Sequence, residues 1–341
     1  MKNFLLFAIS IILFLSCRQQ NTEIKPDKTA KQILPFAIVI HGGAGYIENL
    51  PAETEKAYRD KLNEAVQSGY QILAQGGTAV EAVRKTITIL EDSPLFNAGK
   101  ACVLNSLGKP EMDASIMDGK TLNCGAVAGV SHIKNPINAA VLVKDSTRHV
   151  LLSGEGAEIF CRKYGIEMKE ESYFITEKRL KQLQKIQANE KKKTAALSYE
   201  FNGIRKYGTV GCVALDKNGN IAAGTSTGGL MNKQFGRIGD SPIIGAGTYA
   251  DNNTCGISCT GTGEYFIRTA AAHSVSDIIK YKNIDLLDAQ KQVIGQIEQL
   301  GGDGGMIGID KNGNIAWFFN TKGMFRAYKK SDGAQKIEMY K

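Results

Sequence analysis

Gly208-Thr209-Val210-Gly211 lies deep inside a chain of 341 residues. A threonine hydroxyl is a poor nucleophile without a base beside it. One solution places the threonine at a chain terminus, where its own α-amine takes the proton. Thr209 is internal, so the Gly208–Thr209 bond would first have to break. Glycine ahead of a small β-branched residue allows the strained backbone that such a break needs. Taken alone, a threonine heading an apolar run is simply a strand residue.

Three downstream groups change that reading. Val210–Asp216 is strand-like, Asn218-Gly219 is a turn signal and Ile221–Ala223 is a second short run. Together they predict a hairpin that carries Gly224-Thr225-Ser226-Thr227-Gly228-Gly229 back toward Thr209. Gly236-Arg237-Ile238-Gly239-Asp240-Ser241-Pro242 then offers a cation and an anion on one punctuated loop. Such a pair suits a zwitterion, because arginine grips a carboxylate with its fork and aspartate accepts from an ammonium. Finally, Thr260-Gly261-Thr262-Gly263-Glu264 supplies a hydroxyl and uncrowded backbone N–H groups, the parts of an oxyanion hole.

In this order, and with His41-Gly42-Gly43-Ala44-Gly45, Pro94-Leu95-Phe96-Asn97-Ala98-Gly99 and Met112–Gly119 upstream, the chain resembles the plant-type asparaginase and isoaspartyl peptidase family of N-terminal-nucleophile hydrolases. The resemblance implies an α+β fold, a four-layer αββα sandwich shared by two subunits after self-cleavage. Thr209 would be the nucleophile and Thr227 the group that tunes it. Arg237 and Asp240 would hold the α-carboxylate and α-ammonium of an aspartyl group, with the Gly263 carbonyl helping on the ammonium. Thr260 and the Gly261 N–H would stabilise the oxyanion. Gly208, Thr209 and Asn97 would take part in autocleavage. The implied substrates are β-aspartyl dipeptides and asparagine, and the implied assembly is a dimer of αβ units. No cofactor is required, no side-chain metal site is expected, and a sodium ion held by backbone carbonyls around residues 91–100 is implied. Glycosylasparaginase is the alternative enzyme. A surface lipoprotein that binds acidic amino acids without turnover is the alternative of another class. Gly228 and Thr262 stand where glycosylasparaginases tend to carry asparagine, which favours the β-aspartyl branch.

The chain start suggests a location. Lys2, the apolar run Phe4–Leu15 and Leu15-Ser16-Cys17 resemble a bacterial lipoprotein signal, since the run is too short to span a membrane. The expectation is a signal peptide at residues 1–17, lipid on Cys17 facing periplasm or cell surface, and a tether over residues 18–35. A signal cut elsewhere, giving a soluble periplasmic enzyme, is the alternative. The α subunit would run over residues 36–208, with a mobile linker at about 178–208, and the β subunit over residues 209–341. Both belong to one catalytic domain.

Composition excludes little else. The net charge of +8 is drawn largely from one tract, Lys178 to Lys193, without the interleaved aromatic residues of a base-stacking surface, so no nucleic-acid partner is expected. Cys102, Cys124, Cys161, Cys212, Cys255 and Cys259 read as buried thiols, and the close pair Cys255/Cys259 lacks the partners of a zinc site. Thr78 with Glu81 three residues on caps a helix at Ala79–Leu90, preceded by another at Glu53–Gln75. Ala37–Ile40 reads as a buried strand ending in the glycine-rich turn, and Gly263–Ser274 and Leu286–Leu300 read as helices.

Overall fold

The computed structural model describes residues 35–192 and 208–341. In chain order the elements are β1 (Ala37–Gly45), α1 (Ala52–Ala74), α2 (Ala79–Glu91), β2 (Met112–Asp118), β3 (Cys124–Val130), α3 (Pro136–Ser146), β4 (Leu151–Ser153), α4 (Gly154–Lys163) and α5 (Glu177–Lys192). After Thr209 come β5 (Val210–Leu215), β6 (Ile221–Thr227), β7 (Thr248–Ala250), β8 (Cys255–Gly261), α6 (Gly263–Arg268), α7 (Ala271–Lys282), α8 (Leu286–Gln299), β9 (Gly304–Asp310), β10 (Ile315–Phe319), β11 (Gly323–Lys330) and β12 (Gln335–Tyr340).

The strands make one eight-stranded sheet, in the order β12-β11-β1-β5-β6-β2-β3-β4, and one four-stranded sheet, β10-β9-β8-β7. Both are antiparallel except for the β3–β4 pair. Side chains alternate across a strand, and here both faces are apolar. Ile38, Ile40, Cys212 and Ala214 join the core under α1, α2 and α3, while Ala37, Val39, Val213 and Leu215 face the second sheet. A third core lies between the small sheet and α6–α8, where Phe266, Val275, Val293 and Ile297 pack. Helices, sheet, sheet and helices therefore stack as four layers, the αββα sandwich that the resemblance implies. Strands buried on both faces read as continuous apolar runs, which is the sequence pattern at Ala37–Ile40 and Val210–Leu215.

Local signals place the outer helices. Thr78 accepts from the Glu81 N–H while Glu81 accepts from the Thr78 N–H, a complete capping box on α2. The Asn218-Gly219 turn joins β5 to β6 in register Val210↔Ser226, so the hairpin does return to Thr209.

Two expectations are corrected. His41–Gly45 is not a turn but the second half of β1, paired with β11 as far as Gly45↔Gly323 with a register shift at His41/Gly43. Its glycines let neighbours approach: a Cβ on Gly42 would sit 2.4 Å from the Phe96 ring. The helix expected over Gly263–Ser274 is two helices, because Ala270 turns left-handed at φ 44° and starts α7 on a new axis. The basic tract from Lys178 is mostly α5, anchored by buried Leu183 and Arg179; the remainder of the expected linker, residues 193–207, lies outside the described residues, as do the signal, Cys17 and residues 18–34 of the tether.

Candidate active site

Thr209 immediately precedes β5, in the middle of the larger sheet, and is 7% exposed. Its hydroxyl donates to Thr227 Oγ1 at 3.1 Å, and Thr227 Oγ1 also accepts from the Gly229 N–H at 3.0 Å. The hairpin makes this pairing, because β6 ends at Thr227 directly across the sheet from the start of β5. A neighbouring oxygen that accepts the nucleophile's proton holds the lone pairs of Oγ toward the attacked carbon.

The Gly208 carbonyl accepts from the Asn97 N–H at 2.9 Å. Asn97 itself is locked: its amide donates to the Gly229 carbonyl at 2.9 Å and accepts from the Val103 N–H at 2.7 Å. Asn97 therefore meets the Gly208–Thr209 peptide through its backbone and builds the floor with its side chain. Gly43, at φ 104°, closes the other side, where a Cβ would stand 2.6 Å from Gly208 Cα. Gly43→Ala is expected to push Gly208 off the Asn97 donor and slow self-cleavage at least tenfold, read as persistence of the uncut chain by intact mass.

The clamp loop lies alongside. A Cβ on Gly229 would come 3.5 Å from Arg237 Nη1, so the guanidinium borders the Thr227–Gly229 corner. Arg237 Nε and Nη2 each donate to Glu264 at 2.8 Å, which fixes the plane of the fork. Burial is the largest single influence on the Glu264 carboxyl and raises it, but the hydrogen bond and charge of Arg237 and a backbone hydrogen bond together outweigh it and hold the carboxyl below the usual carboxylate range. Asp240 is buried, and its Oδ2 has no hydrogen-bond partner among the described residues. Burial lifts its pKa to about 6, against the opposing pull of Arg237. A Cβ on Gly263 would lie 2.8 Å from Asp240 Oδ1 and 3.0 Å from Arg237 Nη2, so that glycine keeps both charged groups accessible.

Thr260 and Gly261 close β8 at the same end. Thr260 Oγ1 accepts from the Ala44 N–H at 3.1 Å, leaving the hydroxyl proton to donate elsewhere. Ala44 adjoins Gly43, so the oxyanion segment and the Gly208 segment share one support. All the residues expected at the site are thus brought together, except Cys17, which lies outside the described residues.

Several neighbours escaped sequence reasoning. Glu264 ends the Thr260–Glu264 segment, and its partner Arg237 stands 27 residues upstream. His41 contacts the Thr209 carbonyl through Nδ1 at 3.0 Å. Lys233 is buried beside Gly229, and its ammonium donates to the Glu111 carbonyl at 2.7 Å. Glu91 binds the Ser226 hydroxyl at 2.7 Å, and burial raises its carboxyl to about 8. Lys233 stands four residues before Arg237; the other contacts join segments far apart in the chain. Among the described residues no group of three or more His, Cys, Asp and Glu could hold a metal. Cys102, Cys124, Cys161, Cys212, Cys255 and Cys259 are free thiols, all buried but Cys124.

Comparison with known proteins agrees with this geometry. The family model described as Asparaginase matches residues 34–339. The chain is 45% identical to an isoaspartyl peptidase of Salmonella typhimurium, covering 85% of this chain and 94% of that enzyme. It is 43% identical to a plant-type L-asparaginase of Thermococcus kodakarensis, over 89% and 98% of the two chains. It is 41% identical to an isoaspartyl peptidase/L-asparaginase of Mus musculus, over 85% and 87%.

These matches correct one expectation. A lipid-anchored or periplasmic placement rested on residues 1–17 alone, and the family match begins only at residue 34. The relatives are enzymes matched over nearly all of their own length, and none is described as a lipoprotein. Among the described residues no helix is long and apolar enough to cross a membrane. The matches to these enzymes give neither the lipid-anchored nor the periplasmic placement any support. With a family model spanning residues 34–339 and relatives above 40% identity over most of its length, the chain belongs to the asparaginase family of N-terminal-nucleophile hydrolases.

Proposed function

We infer that the protein is a self-processing threonine amidohydrolase that hydrolyses β-aspartyl peptides and the side-chain amide of asparagine. The observation that carries this reading is the Thr209–Thr227 hydroxyl pair beside a charged clamp, in a chain related to isoaspartyl peptidases and asparaginases.

Thr209 Oγ attacks the Gly208 carbonyl carbon, whose oxygen the Asn97 N–H already polarises. An N-to-O shift gives an ester, water hydrolyses it, and the new Thr209 α-amine is set free. An α-amine has an ordinary pKa of about 7.7–8.0, so it serves as general base near neutrality. In turnover the same oxygen attacks the substrate's side-chain carbonyl, while Thr260 Oγ and the Gly261 N–H receive the oxyanion. A β-aspartyl-threonine ester forms, ammonia or a peptide leaves, and water regenerates the enzyme. Arg237 takes the substrate α-carboxylate. The unpartnered oxygen of Asp240, together with the Gly263 carbonyl, takes the ammonium.

Cleavage before Thr209 divides one catalytic domain into an α subunit ending at Gly208 and a β subunit that begins with the nucleophile. Neither half is stable alone, because β1 of the first pairs with β5 and β11 of the second. Assembly as a dimer of αβ units remains the reading from family resemblance. A structural sodium ion among the carbonyls of residues 91–100 fits a segment in which Gly99, at φ 52°, folds back against the Glu91 carbonyl; no catalytic step uses it.

The glycan reading gains no support. A Cβ on Gly228 would sit 2.6 Å from Asn97 Oδ1 and 2.6 Å from Cys102 Cβ, so no larger residue fits there without moving the floor. Purified, cleaved protein is expected to hydrolyse a β-aspartyl dipeptide in preference to N-acetylglucosaminyl-asparagine; the reverse order in side-by-side assays rejects the assignment.

The acid limb of the pH profile follows from two groups. The amine must be deprotonated and Asp240 must be ionised. As pH falls below about 7.7–8.0, kcat/KM should drop tenfold per unit, and as it passes about 6 the slope should steepen to a hundredfold per unit. The profile of kcat should keep the shallower slope, because bound ammonium holds Asp240 ionised. A kcat/KM limb of constant slope down to pH 5 contradicts this role for Asp240.

A further inference from the structure

A run of fully buried polar groups leads from the nucleophile to the clamp and is used by none of the steps above. His41 Nδ1 meets the Thr209 carbonyl at 3.0 Å, and His41 Nε2 meets Ser258 Oγ at 3.0 Å. Ser258 Oγ lies 2.7 Å from Thr225 Oγ1, which accepts from Thr248 Oγ1 at 2.6 Å. The single proton of Ser115 Oγ is shared between Thr248 Oγ1 at 2.9 Å and the Ser241 carbonyl at 2.6 Å. Ser241 adjoins Asp240. The path crosses between the sheets at every step, from β1 to β8, β6, β7 and β2, and every group in it is at most 1% exposed.

The chemistry fixes one end. A carbonyl can only accept, so His41 Nδ1 carries the proton and Nε2 accepts from the Ser258 hydroxyl. This requires a neutral imidazole, and complete burial supplies it by pushing the His41 pKa down to about 3. A second, independent feature keeps the path open. Gly211 pairs with His41 across the sheet, and a Cβ there would fall 2.0 Å from Ser258 Oγ and 2.2 Å from His41 Nε2. The glycine of Thr209-Val210-Gly211 is thus the vacancy through which the two sheets are joined.

We propose that His41 is a positioning residue for the nucleophile, and that the hydroxyl chain Ser258–Thr225–Thr248–Ser115 couples Thr209 to the Asp240–Ser241 end of the substrate clamp. This rests on the reading of Thr209 as nucleophile. Misplacement of reacting groups by a fraction of a bond length lowers the chemical step more than it lowers affinity. The coupling therefore acts on kcat, with little change in KM.

Thr225 separates a hydroxyl role from a packing role. Thr225→Val keeps the shape and breaks the chain, whereas Thr225→Ser keeps the hydroxyl and removes a methyl group. In cleaved protein of wild-type melting temperature, Thr225→Val is expected to lose about five- to tenfold in kcat with KM within twofold, and Thr225→Ser is expected to retain wild-type kcat. The opposite order, or wild-type kcat in Thr225→Val, overturns the proposal. Should Thr225→Val fail to fold, the double-mutant cycle of Ser258→Ala and Ser115→Ala puts the same question. A double variant no slower than the slower single supports one connected path, and multiplying effects or inert single variants reject it. The underlying assignment is checked separately: wild-type protein that stays uncut yet turns over substrate removes Thr209 from its role, whichever way Thr225 behaves.

Discussion

Thr209→Ala should leave the protein as one uncut polypeptide with activity reduced by at least about 10⁴-fold, the scale expected when a nucleophile that works as a unit with its base is removed. The substitution deletes both partners of the reaction, since without Oγ there is no acyl shift and without the shift no free amine. Folding should survive. Among the described residues the Thr209 hydroxyl makes one hydrogen bond, to Thr227, and the loss of one such bond costs about 1 kcal/mol. Intact-mass measurement and a melting curve on the same sample separate the two effects. Thr209→Ser should restore cleavage into a second chain beginning at residue 209. An Ala variant that is processed, or that hydrolyses a β-aspartyl dipeptide at wild-type speed, ends the assignment.

Arg237→Ala should lower kcat/KM by at least about 30-fold, because it strips the substrate α-carboxylate of its charged, hydrogen-bonded partner. Two carboxylates lose their cation at once: that of the substrate and that of Glu264, which the Arg237 fork grips at 2.8 Å through two nitrogens. Arg237→Lys should recover little, because an ammonium cannot serve both carboxylates in a plane. Self-cleavage is expected to proceed in both variants. The Gly208 carbonyl is held by Asn97, whereas the Arg237 fork is hydrogen-bonded to Glu264. This split between intact processing and lost turnover identifies the clamp as a substrate device; a variant that neither cuts itself nor turns over substrate gives Arg237 a different role.

Much of the site was legible because its chemistry is local. A turn at Asn218-Gly219 fixes the length of a hairpin, and hairpin length alone brings Thr227 opposite Thr209. Arg237 and Asp240 share one loop, and Thr260 and Gly261 share the end of one strand. The capping box at Thr78 and Glu81 announced α2 for the same reason, its partners standing three residues apart. The misread elements are those where distant chain decides. His41–Gly45 carries three glycines and reads as a turn, yet β11 holds it extended as far as Gly45, with β5 pairing on the other side up to His41, and the glycines serve close approach to Phe96 and Gly208. The break at Ala270 has no glycine or proline to mark it, and its left-handed backbone persists only because the surrounding packing imposes it.

The sequence by itself determined which residue is proposed as nucleophile, the hairpin that supplies its neighbour, the charged loop and the layered alternation of strands and helices, since each depends on the order of residues within a short stretch. Tertiary structure alone decided that Asn97 would hold the scissile carbonyl, that Glu264 would orient the arginine, and that His41 would reach Ser258, 217 residues away. Periodicity says which face a side chain takes, but not which strand lies opposite. Partners across a sandwich are chosen by the register of two sheets, and that register exists only when the whole core has formed.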